Sequence, residues 1–456
     1  MNVRNANPNI ICVSNNCKFL TVGETLATTR SKRLQIPTFQ RRYCWGRQVL
    51  KKFLEDVNNH ATRSSVGTFR PHSFGRIVTT ERGNQILVVD GQQRLTTINL
   101  LLASIRDVVQ KHDKSVESLA LQTEINDILF QKVVKQKSGS DAKMMRRPKL
   151  TPSLDDRTAF LKCITPACKS PERTSQPASS SSPSLALDHI SKAKAFFMSS
   201  IPTLFRNSPL ERCQALYRGL LNNCKLLRFE TDGDLWTVYE RLAFRQHSFR
   251  YMHNPAPGVQ CAEADLVKNF LLSFFPNECE GISAYRKLWV PLERQVVRVV
   301  GSNILPDQTK SARELPVGNR LDLFLAAYLT HEQNAEKKDI LEQEDEEDQV
   351  EDFKRPPKRN RVATGSQKKN YGGAVHFMQG AFPTYLKLRS HVEDKLVRQG
   401  VDVTAWQGTA NGITTMEKET REKKQKRAAG VVRAMMESML AFAKKDTWCH
   451  SGTPDS

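Results

Sequence analysis

Asp90, Gln92, Gln93 and Arg94 stand together around Gly91. They supply a carboxylate, two amides and a guanidinium. A carboxylate can take a metal ion or a water, an amide can orient water, and a guanidinium can grip phosphate oxygens. The chemistry these residue types suit is the handling of a phosphorylated ligand. The flanking pattern says which elements must position them. Ile86 to Val89 is an apolar run of strand type that stops at Asp90-Gly91, and Leu95, Ile98, Leu102, Ile105 and Val109 then recur at helical spacing. Asp and Gly are turn and cap residues. The spacing therefore predicts a buried strand feeding a helix N-terminus through a tight turn. Free N–H groups and the positive end of the helix dipole make such a place an anion site. Arg94 in the first turn runs against the usual preference for acidic residues there, and a bound phosphate removes that conflict. A strand–helix corner with a solvated arginine accounts for the same residues.

Other stretches carry candidate chemistry. Gln40, Arg41, Arg42, Tyr43 and Trp45 put cations and aromatics side by side, after a short strand at Leu34 and Ile36 that Pro37 ends. Such a cluster can hold phosphate and stack a base; a tryptophan packed in the core with surface arginines fits it too. Asp265 and Asn269 are four residues apart on a predicted helix that also carries Lys268, so they share one face. A metal or phosphate role and a capping role are both open to them. Asp188-His189 has the residue types of a metal nuclease, but Leu187, Ile190, Ala193 and Phe197 at helical spacing give the simpler reading of a packed helix.

The remaining elements follow from pattern. Phe19 to Thr28 reads as a short helix with Thr21 as cap and Glu24 three residues on. Gln48 to Asn58 is amphipathic, with Val49, Phe53, Leu54 and Val57 inward. Ser73 to Val78 and Gln85 to Val89 form a predicted hairpin through Arg82-Gly83-Asn84. Glu117 to Lys135 reads as a helix carrying Leu121, Ile125, Ile128, Leu129 and Val133. Cys224 to Thr231 reads as a strand, and the chain beyond Trp236 as mostly helical.

The 456 residues leave room for two or three domains, and 39% hydrophobic content with a mean hydropathy of -0.50 points to sizeable unpacked segments. Ser170 to Ser184 is too poor in apolar residues to fold. Glu342 to Asp352 is acidic and is followed directly by a basic run, a pairing expected of a disordered charged linker. Lys354 to Arg361 fits a nuclear import signal, a nucleic-acid contact or a solvated run. The net charge of +21 favours a polyanionic partner, although solubility also explains it. Ten cysteines without CxxC pairs suggest reduced thiols in a soluble, intracellular protein. A signal peptide and a run of membrane length are both lacking.

Three strings carry a resemblance. IPTFQRRYCW, FGRIV and VVDGQQRLTT, in this order, resemble the N-terminal domain of the GmrSD-type modification-dependent restriction endonucleases. That resemblance implies an α+β fold: a ParB/sulfiredoxin-like nucleotide-binding domain, then a mostly α-helical region, with disordered insertions. It places the NTP-binding domain at residues 19–135, a low-complexity insertion at 136–187 and a helical continuation at 188–335. A charged linker at 336–370 and a C-terminal helical region at 371–456 complete the expected organisation. It further implies NTP binding and hydrolysis coupled to DNA restriction. Gly91-Gln92-Gln93-Arg94 matches the family's phosphate-contacting Gly-x-x-Arg turn. Gln40, Arg41, Tyr43, Gly75 and Thr96 would complete the nucleotide site, and Asp90 would take Mg2+. Asp265, Lys268 and Asn269 match a later Asp-Leu-x-Lys-Asn helix of the family. Ala243 departs from the pattern, standing where the family carries Asn; this puts hydrolysis in doubt more than binding. His331, His376, His391 and His450 lie isolated in the sequence, so a nuclease centre is expected on a separate subunit. Two other readings of the chain stay open: a nucleic-acid-binding adaptor that keeps the fold and has lost the chemistry, and a nuclease whose site the sequence does not reveal.

Overall fold

A computed structural model describes residues 17–27, 32–38, 40–62, 71–135, 143–166, 189–205, 208–231, 235, 237–240, 242–243, 263–302, 317–350, 382–401 and 415–445. The chain divides into two compact units, Met1–Leu242 with Pro255–Val259 and Ala243–Asn254 with Gln260–Ser456. Among the described residues no helix is long and apolar enough to cross a membrane.

The first unit is built on a mixed six-stranded sheet. Its strands are β1 (Cys17–Thr21), β2 (Arg33–Gln35), β3 (His72–Arg82), β4 (Gln85–Asp90), β7 (Leu150–Thr151) and β8 (Cys224–Glu230), in the order β1-β8-β3-β4-β2-β7. The hairpin of β3 and β4 is antiparallel, as the Gly83-Asn84 turn predicts, while β2 runs parallel to β4 and to β7. The central helix is α3 (Gln92–His112). Against it pack α4 (Val116–Leu129), α5 (Arg157–Ile164), α6 (His189–Ser200) and α7 (Pro209–Arg218), and the unit also holds α1 (Val22–Ala27) and α2 (Arg47–Thr62). At the level of class this is the expected α+β architecture.

Local chemistry explains several of these boundaries. The Glu24 N–H donates to Thr21 Oγ1 at 3.0 Å and the Thr21 N–H to Glu24 Oε2 at 2.6 Å, so the capping box forms as the sequence suggests. Phe19 and Leu20, expected in that helix, instead belong to β1, because the box marks Thr21 as the helix entry. Likewise α4 ends at Leu129, and Phe130–Lys135 is strand β5, paired with β6 (Lys143–Pro148). Val133 therefore lies in a strand; it and Val134 are β-branched and suit a ladder better than a helix end. Folded elements β6, β7 and α5 occupy much of the stretch assigned to an insertion, while Ser170 to Ser184 lies outside the described residues. Ile190, Ala193 and Phe197 are buried on α6, as their spacing predicts, and Leu187 and Asp188 lie outside the described residues.

The second unit is helical: α8 (Glu263–Ser273), α9 (Glu278–Ala284), α10 (Val290–Ser302), α11 (Val317–Val350), α12 (Pro383–Arg398) and α13 (Thr415–Lys444). Helix α11 continues to Val350, through acidic residues expected to be a linker from residue 336 onward. Glutamates are good helix formers, and the helix core at Leu321, Phe324, Leu325 and Tyr328 supplies a nucleus to extend. Lys354 to Arg361 lies outside the described residues.

Candidate functional site

The β4–α3 corner is the predicted strand–turn–helix. Asp90 ends β4 opposite Val78 of β3. Its Oδ1 accepts the Gly91 N–H at 2.8 Å, and its Oδ2 lies 3.3 Å from Arg76 Nε. Gly91 has φ +96°, and a Cβ there would stand 2.5 Å from Ile77 Cγ2. Glycine thus permits both the left-handed turn and the close approach of α3 to β3. The first intrahelical bond runs from the Leu95 N–H to the Gly91 carbonyl. The N–H groups of Gln92, Gln93 and Arg94 precede it and have no carbonyl to bond within the helix.

Arg94 Nη1 donates to the Arg76 carbonyl at 3.0 Å. Its guanidinium lies along the backbone of Gly75 (φ +86°), where a Cβ would meet Arg94 Nε at 3.4 Å. The side chains of Arg76 and Asp90 are 32% and 17% exposed, so the pair is open to solvent. Two guanidinium groups and one carboxylate therefore gather at the start of a buried helix.

The other predicted site residues divide by role. Gln93 spends its amide on the neighbouring loop: Oε1 accepts the Cys44 N–H at 2.9 Å and Nε2 donates to the Arg42 carbonyl at 3.0 Å. Gln40 is buried and donates to the Val89 carbonyl at 2.6 Å. Tyr43 is buried too, with its hydroxyl 2.7 Å from Thr97 Oγ1; burial pushes its phenol well above the ordinary range. Gln92 is buried on the first turn of α3 and Thr96 on the second, and Arg41 is half-buried on the loop. The corner thus has a shell of framing groups, Gln40, Tyr43 and Gln93, behind the ionic group of Asp90, Arg76 and Arg94.

Two members of this arrangement escaped the sequence reading. Arg76 follows Gly75 in the string FGRIV, yet its partner Asp90 is fixed only by the hairpin register. Asp156 accepts the Tyr43 N–H at 2.7 Å and the Ser153 hydroxyl at 2.9 Å. Burial raises its carboxyl to about 6, against the hydrogen bonds that lower it. The Ser-x-x-Asp spacing was the available signal and reads as a capping box, yet α5 begins only at Arg157, with Asp156 as its N-cap and no side-chain cap bond. Beside it, Asp155 Oδ2 pairs with Arg42 Nε at 3.0 Å.

Asp265, Lys268 and Asn269 belong to α8 of the second unit. Lys268 is buried, with Nζ 3.3 Å from Asp265 Oδ1. Asn269 is 1% exposed, and neither of its amide atoms has a hydrogen-bond partner among the described residues. Nearby, Asp322 Oδ1 accepts the Ala264 N–H at 2.7 Å, and burial lifts the Asp322 carboxyl to about 7. Asp322 of α11 thus caps the start of α8, a role the spacing had left open to α8's own residues. Ala243 is buried, and residues 244–262, between it and α8, lie outside the described residues. His391, isolated in the sequence, sits 3.6 Å from Glu332 and 3.9 Å from Glu336, which are one helical turn apart on α11.

Among the described residues no group of three or more His, Cys, Asp or Glu side chains could hold a metal ion. Magnesium does not require one. It commonly takes one or two carboxylates together with phosphate oxygens and water. Asp90 is the carboxylate at the corner that fits this pattern, and each of its oxygens keeps acceptor capacity beyond its present bond.

Fold and corner together define an α+β domain whose buried central helix opens on a carboxylate–guanidinium group beside a left-handed glycine turn. The chain belongs to the family of the GmrSD restriction endonuclease N-terminal domain, whose model matches residues 23–272, more than half of its length. The match spans the corner, the 40–46 loop and most of α8. A comparison with curated proteins finds no match.

Proposed function

We propose that the β4–α3 corner binds the phosphates of a nucleoside triphosphate with Mg2+ and hydrolyses it, in a GmrSD-type system that acts with DNA and a separate nuclease subunit. The observation that carries this reading is Arg94. A half-buried guanidinium on the first turn of a helix, braced by Gly75 and the Arg76 carbonyl, runs against the helix dipole, and a phosphate bound beside it would offset that conflict. Its neighbours are three helix N–H groups and Arg76.

The roles follow from what each group is free to do. Arg94, Arg76 and the first-turn N–H groups hold phosphate charge, and charge that develops on the leaving phosphate falls on the same donors. Arg41 adds charge from the loop. Mg2+, when bound, would neutralise phosphate oxygens, with Asp90 as its protein ligand. Gln92 orients the attacking water. Gln93 is assigned to positioning, because both ends of its amide hold the 42–44 backbone. In the second unit Lys268 is held by Asp265, and the buried Asn269 amide, without a hydrogen-bond partner among the described residues, is the group that a ligand there would meet.

The test is Mg2+-dependent turnover by the purified chain, compared with Arg94→Ala and Asp90→Ala. Turnover that both substitutions reduce by two orders of magnitude or more is expected, roughly the loss seen when a single charge-stabilising group is removed. Turnover unchanged in both variants would remove the chemistry from this corner. The second reading, a nucleic-acid-binding adaptor without turnover, draws on Ala243 in place of the family's Asn and on the net charge of +21. It requires DNA affinity that falls steeply with salt while no nucleotide is hydrolysed.

A further inference from the structure

We propose that Trp45 and Phe74 form a base-stacking platform for the nucleotide, an inference that rests on the phosphate reading of the Gly91–Arg94 turn. Both rings stand one residue from a contact with that turn. The Cys44 N–H is bonded to Gln93 Oε1 at 2.9 Å, which pins the residue before Trp45 to the first turn of α3. Gly75, the residue after Phe74, lies against the Arg94 guanidinium. Each aromatic residue is thus the chain neighbour of a residue that touches the turn, which makes both candidates to meet the nucleoside of a ligand whose phosphates meet Arg94.

The two rings are also held in place. Both are half-buried and bracket the buried Phe53. Trp45 and Phe53 have ring centroids 6.0 Å apart at 59°, and Phe53 and Phe74 stack at 4.5 Å and 23°. Phe53 thus fixes the inner side of each ring while part of each stays exposed. Between Ser73 and Arg76 the pairing of β3 with β8 shifts register, around the left-handed Gly75, and such bulges re-aim side chains near functional sites. Beside Trp45, a Cβ built on the exposed Gly46 meets nothing within 4 Å among the described residues. Stacking uses the face that every base presents. The platform therefore adds affinity for the nucleoside part of the ligand without selecting strongly among bases.

The experiment is calorimetric titration of the full chain, with Mg2+, using each of the four common nucleoside triphosphates and inorganic tripolyphosphate as probes. Trp45→Ala and Phe74→Leu are expected to weaken nucleoside triphosphate binding roughly 5- to 100-fold and to leave tripolyphosphate binding unchanged. Trp45→Phe keeps a π-face and should retain most of the affinity. Phe74→Leu keeps apolar bulk against Phe53, which guards against a mere packing loss. Unchanged nucleotide affinity in both variants, or an equal loss for tripolyphosphate, would overturn the platform while leaving the phosphate reading intact. A wild-type chain that binds neither probe would overturn both.

Discussion

Gly91 meets two demands at once, a φ of +96° and a Cβ position 2.5 Å from Ile77 Cγ2. Gly91→Ala should therefore cost about 1–2 kcal/mol for the left-handed backbone and about 1–3 kcal/mol more for overpacking. Urea denaturation would show the loss as a lowered midpoint. Gly75→Ala, whose nearest contact is 3.4 Å and is a side chain, should cost less. Asp156 gives a pH prediction. Burial lifts its carboxyl from 3.8 to about 6, so between these values the folded chain holds a proton that the unfolded chain has released. Stability then falls as pH rises through that window, by up to roughly 3 kcal/mol, and levels off above it. Asp156→Asn keeps an acceptor for the Tyr43 N–H and should flatten that slope relative to wild type, measured as urea midpoints from pH 4 to pH 7. An identical slope in both proteins would contradict the raised carboxyl. Asp90, Gly91 and Arg94 were legible in the sequence because they are chain neighbours with turn and cap chemistry. Arg76 and Asp156 were not. Their partnerships, Arg76 with Asp90 and Asp156 with Tyr43, span 14 and 113 residues and exist only once sheet register and the placement of α5 are set.

The helix that carries the turn is more deeply enclosed than its periodicity implied. Leu95, Ile98, Leu102, Ile105 and Val109 are buried as their spacing predicts, but so are Leu100, Leu101, Ala103 and Val108. A single helical stripe shows which face meets the sheet; it cannot show that α4, α5, α6 and α7 cover the others. Even Arg106 is buried, donating to Asn126 Oδ1 at 2.8 Å and to the Ile164 carbonyl at 2.7 Å. An enclosed α3 gives the corner a rigid base, and Gln93 transmits that rigidity to the 42–44 loop. Gln93→Leu would remove the amide that the Cys44 N–H and the Arg42 carbonyl both bond. The expected cost is about 1–3 kcal/mol, with amide exchange at Cys44 accelerated by roughly tenfold or more. Exchange at Cys44 as slow as in wild type would show that the loop is held by other means. Strands β5 and β6 illustrate the opposite limit of legibility. Val133 sits at helical spacing from Ile125 and Leu129, and only pairing with β6 reveals it as a strand residue.

Across the whole chain, family membership was legible because the three matching strings keep their order, and residues 23–272 carry the match. The division into two units was less so, since α8 of the second unit lies within the same family region as the β4–α3 corner of the first. Among the described residues Cys17, Cys44, Cys163, Cys213, Cys224 and Cys279 form no disulfide. A net charge of +21 raises the local concentration of any polyanion around the chain, whichever site it finally occupies. Specific phosphate binding has to be separated from that general attraction, and one residue does so. Arg94→Ala changes the net charge by a single unit but removes the guanidinium braced against Gly75. The direct measurement is equilibrium binding of nucleoside triphosphates, with Mg2+ and at fixed salt, to wild type and to Arg94→Ala. Phosphate held at the β4–α3 turn requires saturable binding by wild type and a loss of roughly tenfold or more in Arg94→Ala, the worth of a charge-assisted hydrogen bond. Equal affinity in the two proteins, or no binding by wild type, would contradict it.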